Sequence, residues 1–305
     1  MSRYIAARLV QTALAILLVS VAVFVLVRLR GDPAALMAPP WWTAEQVDEL
    51  RRAWGFDRPI HMQYIDFLSK AVRGDFGESF RFRRPTMDMV LEKLPWTYLL
   101  AGTSALLALL IAVPLGTLSA VHRNSIIDLL STALATVGAA MPNFWIGLML
   151  ILFFAVSLRV LPAFGAESWH GLLLPSITLG TGIAARLARL TRSAMLEVLG
   201  QDFVRTARAK GLAERVVIYR HALRNALIPV VTAFGLQLGW LLGGAVVVEQ
   251  VFAWPGLGRL MIEAIGVRDV LLIQAGVFWF ALSFLLINLG IDLLYTFLDP
   301  RIRYG

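Results

Sequence analysis

The sequence offers few side chains in arrangements that carry out catalysis or hold a metal ion. Its four histidines lie far apart in the chain, and the lack of cysteine excludes thiolate ligands and cysteine nucleophiles. It contains no Gly-x4-Gly-Lys-Ser/Thr phosphate loop, no His-Glu-x-x-His zinc motif and no Gly-x-Ser-x-Gly nucleophile elbow. We therefore predict no catalytic residue, no metal site and no cofactor bound by this chain. Any ATP hydrolysis must then occur on another polypeptide.

Polar side chains inside the long apolar segments are the next candidates, because a charge in mid-bilayer costs about 2.5–3.5 kcal/mol. Such charges are few: Asp292 lies within the last segment and Glu249 at the end of the one before. Asp128 and Arg28 lie near segment ends, where they can snorkel or be solvated. No series of acidic residues crosses the membrane, which weakens the hypothesis of an ion-coupled carrier. Uncharged polar residues are candidates for a translocation pathway, although hydrogen bonding between helices is the favoured explanation for each: Asn143, Ser176, Thr178, Gln237 and Asn288.

A basic, amphipathic segment at residues 202–229 lies between two apolar segments. Phe203, Ala207 and Lys210 are spaced at i, i+4 and i+7, which predicts a helix with these residues on one face. Gly211 then supplies the left-handed conformation that a helix C-terminus favours, and a second helical pattern follows. Its apolar positions are Val217, Tyr219, Leu223 and Leu227. The sequence therefore predicts a helix–Gly–helix segment that is too charged for lipid but is joined to the membrane at both ends.

Six apolar segments surround this basic segment. Apolar residues make up 58% of the 305 residues, and the mean hydropathy is +0.73, both more than a soluble domain needs. About 20 apolar residues span a bilayer, and the first segment is too long for a signal peptide. We predict an all-α integral membrane protein whose six transmembrane helices lie at residues 9–29, 96–121, 129–158, 172–190, 228–248 and 270–298. The third contains Met141-Pro142-Asn143, which we interpret as a kink in preference to a gate element.

Residues 31–95 form a polar segment after the first helix. Gly31-Asp32-Pro33 ends that helix, and Thr43 followed by Gln46 matches a capping box at the start of a short helix to residue 54. A second short helix is predicted at 62–72, followed by a turn at 74–79. Because no repeat or low-complexity linker divides the chain, we predict one domain over residues 1–305.

The distribution of charge predicts the orientation in the membrane. Residues 186–224 carry nine Lys and Arg against three acidic residues, whereas residues 31–95 carry nine against ten. An even number of spans places both termini on one side, and the short basic ends join the side of the basic segment. We predict cytoplasmic termini, an external loop at 31–95 and a cytoplasmic loop at 191–227. The net charge of +8 is then explained by lipid headgroups and topology, without nucleic acid.

Two runs in the basic segment resemble those of bacterial ABC importer permeases of the oligopeptide, dipeptide and glutathione family. They are Thr206-Ala207-Arg208-Ala209-Lys210-Gly211-Leu212 and the run His221–Pro229, with Leu-Arg-Asn-Ala at 223–226. The runs Gly31-Asp32-Pro33 and Gly74-Asp75-Phe76-Gly77 resemble the same family. The chain departs from the general permease loop, which has Glu where Arg205 stands and Pro where Arg224 stands.

This resemblance implies a multi-pass permease of the bacterial inner membrane that moves small peptides by alternating access. It implies a second permease chain, two ATPase subunits that bind ATP and Mg²⁺, and an external substrate-binding protein. It also implies that one short stretch is the coupling helix that docks on an ATPase: Arg205, Thr206, Ala207, Arg208, Ala209, Lys210, Gly211 and Leu212.

A stand-alone secondary carrier or channel is the alternative function. It would work under an ion gradient without an ATPase and would have no use for the segment at 202–229. An intramembrane enzyme ranks last, since no nucleophile–base pair can be identified.

Overall fold

The computed structural model describes residues 2–29, 31–39 and 41–298. In these ranges the chain is mostly helical and forms no β-strand. The α-helices are α1 (Ser2–Leu29), α2 (Pro33–Met37), α3 (Ala44–Ala53), α4 (Ile60–Val72), α5 (Thr86–Val121), α6 (Ile126–Ala140), α7 (Asn143–Leu150), α8 (Leu173–Leu199), α9 (Asp202–Ala209), α10 (Glu214–Val216), α11 (Leu223–Val251), α12 (Leu257–Gly266) and α13 (Val270–Leu298). A π-helical stretch, Ile151–Ser157, extends α7, and another, Val217–Ala222, joins α10 to α11. A 3₁₀ turn, Trp169–Leu172, precedes α8.

Five helical stretches of the described chain are long and apolar enough to cross a membrane, and a bent pair makes a sixth. The six predicted segments all fall on them, which confirms the all-α membrane fold. The stretches are Ile5–Val25, Thr86–Val121, Trp169–Leu199, Glu214–Val251 and Val270–Leu293, with Ile126–Ala140 and Asn143–Ser157 as the bent pair. The basic C-terminal end at residues 299–305 lies outside the described residues.

The break between α6 and α7 is much sharper than the predicted kink, because the chain bends there by 110°. Proline disfavours helical geometry in the residue before it. Met141 (ψ 133°) and Pro142 (ψ 140°) are accordingly both extended, and two extended residues in succession redirect the chain. The preference for a simple kink was therefore wrong at this position.

The helices cluster into two compact units, the first of which contains the described residues within 2–97 and 255–298. Its apolar core includes Phe76, Val90, Leu257 and Leu272. Asp269, at the start of α13, accepts hydrogen bonds from the hydroxyl of Ser79 and from the backbone N–H of Arg81. The loop before α5 is therefore fixed to the start of α13.

The short helices of the first unit agree with the capping signals in the sequence. Thr43 Oγ1 accepts from the N–H of Gln46 at 3.4 Å, and Gln46 Oε1 accepts from the N–H of Thr43 at 2.9 Å, so the predicted capping box is present. The short helix α2 was not predicted, although Asp32 begins it by accepting from the N–H of Ala34. Helix α5 begins at Thr86, ten residues earlier than predicted.

The second unit contains residues 98–254, and α8 packs in it against α6, α7 and α11. Helix α5 approaches α8 so closely that only glycine fits at residue 116. A Cβ atom there would lie 2.5 Å from the carbonyl oxygen of Ala188 and 2.6 Å from Cβ of Thr191. This contact fixes the distance between the two helices over one turn.

Candidate functional site

Helix α9 is the first half of the basic segment, and one side of it is buried. Val204 and Ala207 pack into an apolar cluster with Met195 of α8 and Val217 of the π-helical stretch. The predicted helix is confirmed, and of the three residues that indicated its period Ala207 is buried, while Phe203 and Lys210 are exposed. The buried face follows the spacing i, i+3 of Val204 and Ala207, which leaves most of the charged side chains outside.

The π-helical stretch explains why the second half of the segment departs from the expected pattern. Each residue of an α-helix rotates by about 100°, so the wider π-turn shifts the face that later residues present. Val217, Ile218 and Ala222 are buried, whereas Tyr219, expected on the apolar face, is exposed.

Gly211 forms the turn between the two halves, as the sequence predicted. Its φ is +74°, in the left-handed region that glycine adopts without a steric penalty. The N–H of Gly211 donates to the carbonyl of Arg208 at 2.9 Å, and that of Leu212 donates to Ala207 at 3.4 Å. A Cβ at position 211 would meet no atom within 4 Å, so glycine is required here by conformation and not by space.

The outer surface of the segment is basic. The side chain of Arg205 is 74% exposed, with a single ion pair of 3.4 Å to Asp202. Arg208 donates to both carboxylate oxygens of Glu214, at 3.1 and 2.6 Å, and these hydrogen bonds raise the pKa of Arg208. Of the eight predicted coupling residues, Ala207 alone is buried, and the others are exposed: Arg205, Thr206, Arg208, Ala209, Lys210, Gly211 and Leu212.

An ion pair with a buried carboxylate joins α6 to α8, the helix that leads into this segment. Arg192 donates from Nε and Nη2 to the two carboxylate oxygens of Asp128, each at 2.7 Å. The carboxylate also accepts from Ser119 Oγ at 2.5 Å and from the N–H of Asn124 at 3.0 Å. Asp128 is only 5% exposed, so protein donors compensate its charge in place of the water or headgroups expected at a segment end. Its partner lies 64 residues away, and no local pattern in the sequence indicates the pair.

The predicted pathway residues have different surroundings. Ser176 is buried on α8 and shares a hydrogen bond of 2.8 Å with the hydroxyl of Thr103 on α5. Gln237 on α11 accepts from Nε of Arg186 at 2.6 Å. Asn143 begins α7 and is half-buried, and the half-buried Asn288 lies on α13 in the first unit. A pathway role for these residues stays a prediction.

The fold defines a helical integral membrane protein with several spans. Residues 112–304 match the family of binding-protein-dependent transport system inner membrane components, and residues 1–101 match the N-terminal region of such components. The chain therefore belongs to this family, as a multi-pass inner-membrane permease subunit of an ABC importer.

Comparison with individual proteins gives the same assignment. The chain is 45% identical to the glutathione transport system permease protein GsiC of Escherichia coli K12 over 305 residues, which is the full length of both. It has the same identity and coverage with GsiC of Salmonella typhimurium LT2. Its fold is similar to that of a chain of the MetNI methionine ABC transporter in an inward-facing conformation, with a TM-score of 0.56 and 21% identity over 70% of this chain and 97% of the other.

Proposed function

We propose that this permease subunit moves small peptides, such as di- or oligopeptides or glutathione-like peptides, into the cell by alternating access. The observation that carries the proposal is the 45% identity over the whole chain to proteins named as glutathione transport permeases. Transport in this family depends on a binding protein, as the family description states. Two permeases of such similarity would therefore move different classes of substrate only if their binding proteins also differed.

The proposed assembly contains a second permease chain, two ATPase subunits, an external substrate-binding protein and the surrounding lipid. ATP and Mg²⁺ bind the ATPase subunits, since this sequence has no phosphate-binding loop of its own. The chain acts as one permease domain, residues 1–305, with both termini in the cytoplasm. Residues 31–95 form the external loop, and residues 191–227 form the cytoplasmic coupling loop.

In this proposal the exposed side of α9 and the turn after it dock on an ATPase subunit. Arg205, Arg208 and Lys210 supply the exposed charges, and Gly211 supplies the turn. Ala207 lies on the buried side of the docking helix and holds that helix against α8, because it packs in the cluster that contains Met195. Only Gly200 and Gln201 separate α8 from α9, so a displacement of α9 is passed on to a membrane-spanning helix.

The proposed translocation pathway uses the polar residues Asn143, Ser176, Gln237 and Asn288. Peptides carry backbone donors and acceptors, which uncharged polar side chains satisfy without selecting a particular sequence. Ser176 would exchange its hydrogen bond with Thr103 for one with the substrate.

Reversal of the charge at Arg205 tests the coupling role. Arg205→Glu leaves the buried face of α9 intact and removes only one long ion pair, so the protein should insert and fold normally. We expect ATP-dependent uptake of glutathione by the reconstituted complex to fall at least tenfold, which corresponds to about 1.4 kcal/mol of docking energy. Arg73→Glu, which reverses an exposed arginine at the end of α4, is the matched control and should transport normally.

The docking role of this surface and the importer function would each be contradicted by a different result. Wild-type uptake by the Arg205→Glu complex, with the ATPase still bound in the same ratio, would remove the docking role from this surface. Uptake by this chain alone under an ion gradient, without any ATPase, would replace the importer by the stand-alone carrier.

A further inference from the structure

Helix α8, which the structure describes throughout, exposes only polar side chains although it is long and apolar enough to cross the membrane. Its exposed residues are Arg186, Arg189, Ser193 and Glu197. Its neighbour α6 exposes apolar side chains instead, among them Ile126, Leu130 and Leu134. Charged side chains within membrane-spanning segments almost always face the interior of an assembly or a water-filled cavity. The exposed side of α8 is therefore expected to face such a space and not lipid.

Arg186 lies at the depth of the middle of the bilayer. It is the middle residue of α8, about 20 Å from either end of that helix. Its Nε donates at 2.6 Å to Oε1 of Gln237, which is the middle residue of α11 and lies about 21 Å from either end. Because the hydrocarbon core is about 30 Å thick, a core placed anywhere along these two helices contains both residues.

The side chain of Arg186 does not extend toward the basic segment. A Cβ atom at Gly182 would lie 3.6 Å from Nη1 of Arg186, so the guanidinium lies beside the preceding turn of α8. That turn is still about 14 Å from Leu173, where the helix begins. Arginines near the end of a span commonly extend to the membrane surface, where water and headgroups solvate the charge. The guanidinium of Arg186 instead remains within the span.

The charge of Arg186 has no counter-ion in the part of the chain that the structure describes. Arg189 lies three residues further along the same face, so it adds a second positive charge. The next arginine of α8, Arg192, is by contrast paired with Asp128 at 2.7 Å. Gln237 is neutral and accepts only from Nε of Arg186, which leaves both terminal nitrogens of the guanidinium without an acceptor among the described residues. An anion that reached this depth would meet an uncompensated cation with two free nitrogens.

We propose that Arg186 binds the carboxylate of a peptide while that peptide crosses the membrane. A guanidinium binds a carboxylate through two parallel hydrogen bonds, for which its two terminal nitrogens are available. Gln237 holds the guanidinium in place, and Arg189 adds to the positive potential. The inference rests on the proposed transport of peptides and names the group that the pathway recognises. A linear peptide carries a carboxylate at its C-terminus, and glutathione carries two.

Uptake of glutathione by the complete complex in proteoliposomes, with binding protein and ATP, tests the proposal. Arg186→Gln removes the charge and keeps a polar side chain, and we expect uptake to fall at least tenfold. Hydrolysis of ATP stimulated by the binding protein should change less than twofold, because the docking surface is untouched. Arg186→Lys keeps a cation and should retain at least a third of the wild-type uptake. Arg123→Gln, at an exposed arginine between α5 and α6, is the control and should transport normally.

Gln237→Glu distinguishes a binding role of Arg186 from a structural one. This change places a carboxylate beside the guanidinium with little change of shape. It would compensate the charge from within the chain, so uptake should fall as it does in Arg186→Gln. An arginine with a purely structural role would gain an ion pair, and uptake would stay at the wild-type level, which would contradict the proposal.

The other outcomes separate this inference from the transport function. Normal uptake by Arg186→Gln, or an equal loss in Arg186→Gln and Arg186→Lys, would overturn the inference and leave the transport function intact. If Arg186→Gln no longer assembles with the second permease while Arg186→Lys does, the arginine pairs with a carboxylate of that chain, and the inference is wrong. If the wild-type complex takes up no glutathione, the proposed substrate is wrong and the inference fails with it.

Discussion

Two arginine–carboxylate pairs in the second unit have nearly the same geometry and very different surroundings. Arg192 binds Asp128 through two hydrogen bonds of 2.7 Å, and Arg208 binds Glu214 through two of 3.1 and 2.6 Å. The side chains of the first pair are 27% and 8% exposed, whereas those of the second are 44% and 54% exposed.

The difference in burial, and not the difference in hydrogen-bond distance, determines how much each pair contributes to the free energy of unfolding. If one partner of an exposed pair is removed, water solvates the other, and such pairs contribute about 0–1 kcal/mol. If one partner of a buried pair is removed, a charge remains where water cannot reach it. The Asp128–Arg192 pair joins α6 to α8 and is therefore a structural contact, while the Arg208–Glu214 pair lies on the exposed surface of the basic segment.

The largest expected effect is that of Arg192→Met. Asp128 would keep its neutral donors but lose its cation, and we expect the free energy of unfolding to fall by about 3–5 kcal/mol. Equilibrium unfolding in detergent, followed by circular dichroism, measures the loss. In the double variant Asp128→Asn/Arg192→Met no charge is left buried, so it should recover much of the stability. Equal losses in the single and double variants would show that burial of the charge is not the cause.

A smaller effect is expected for Ser119→Ala, which removes the hydroxyl donor from the same carboxylate. A hydrogen bond to a charged group contributes about 1.5–3 kcal/mol, and we expect a loss of about 2 kcal/mol in the same unfolding measurement. Thr136→Ala is the control, because that exposed hydroxyl bonds only to the backbone of its own helix. If both variants lose the same stability, the Ser119 hydroxyl has no special role at Asp128.

The smallest effect is expected for Arg208→Gln. Its pair with Glu214 is exposed and screened by salt, so the free energy of unfolding should change by less than about 1 kcal/mol. The same unfolding experiment, repeated at low and high salt, should show a difference that shrinks as salt is added. A loss as large as that of Arg192→Met would mean that exposure does not distinguish the two pairs.

Features that depend on neighbouring residues were predictable from the sequence. Helix α13 begins and ends where its apolar segment does, at residues 270 and 298, and the capping box of Thr43 and Gln46 is present. The helix–Gly–helix form of the basic segment was also predicted correctly, because the left-handed conformation at Gly211 is a local preference.

Features that depend on distant residues were not predictable. Asp128 was expected among water or headgroups because nothing nearby in the sequence indicates Arg192 as its partner. Met141-Pro142 was recognised as an interruption from its proline, but the sequence does not say how far two extended residues bend the chain. The observed 110° is the angle at which α7 packs against α8 and α11. The helical period of α9 did not indicate which face is buried, because the cluster around Met195 that takes up Val204 and Ala207 is formed by residues outside α9.

The close contact at Gly116 has a mechanical consequence for α8. Gly180 of α8 makes a second close contact with α5, because a Cβ atom there would lie 2.8 Å from the carbonyl oxygen of Ser104. Residues 180 and 191 are about 16 Å apart along α8, so the two contacts together oppose any rotation of α8 against α5. A displacement of the end of α8 that adjoins α9 therefore carries α5 with it.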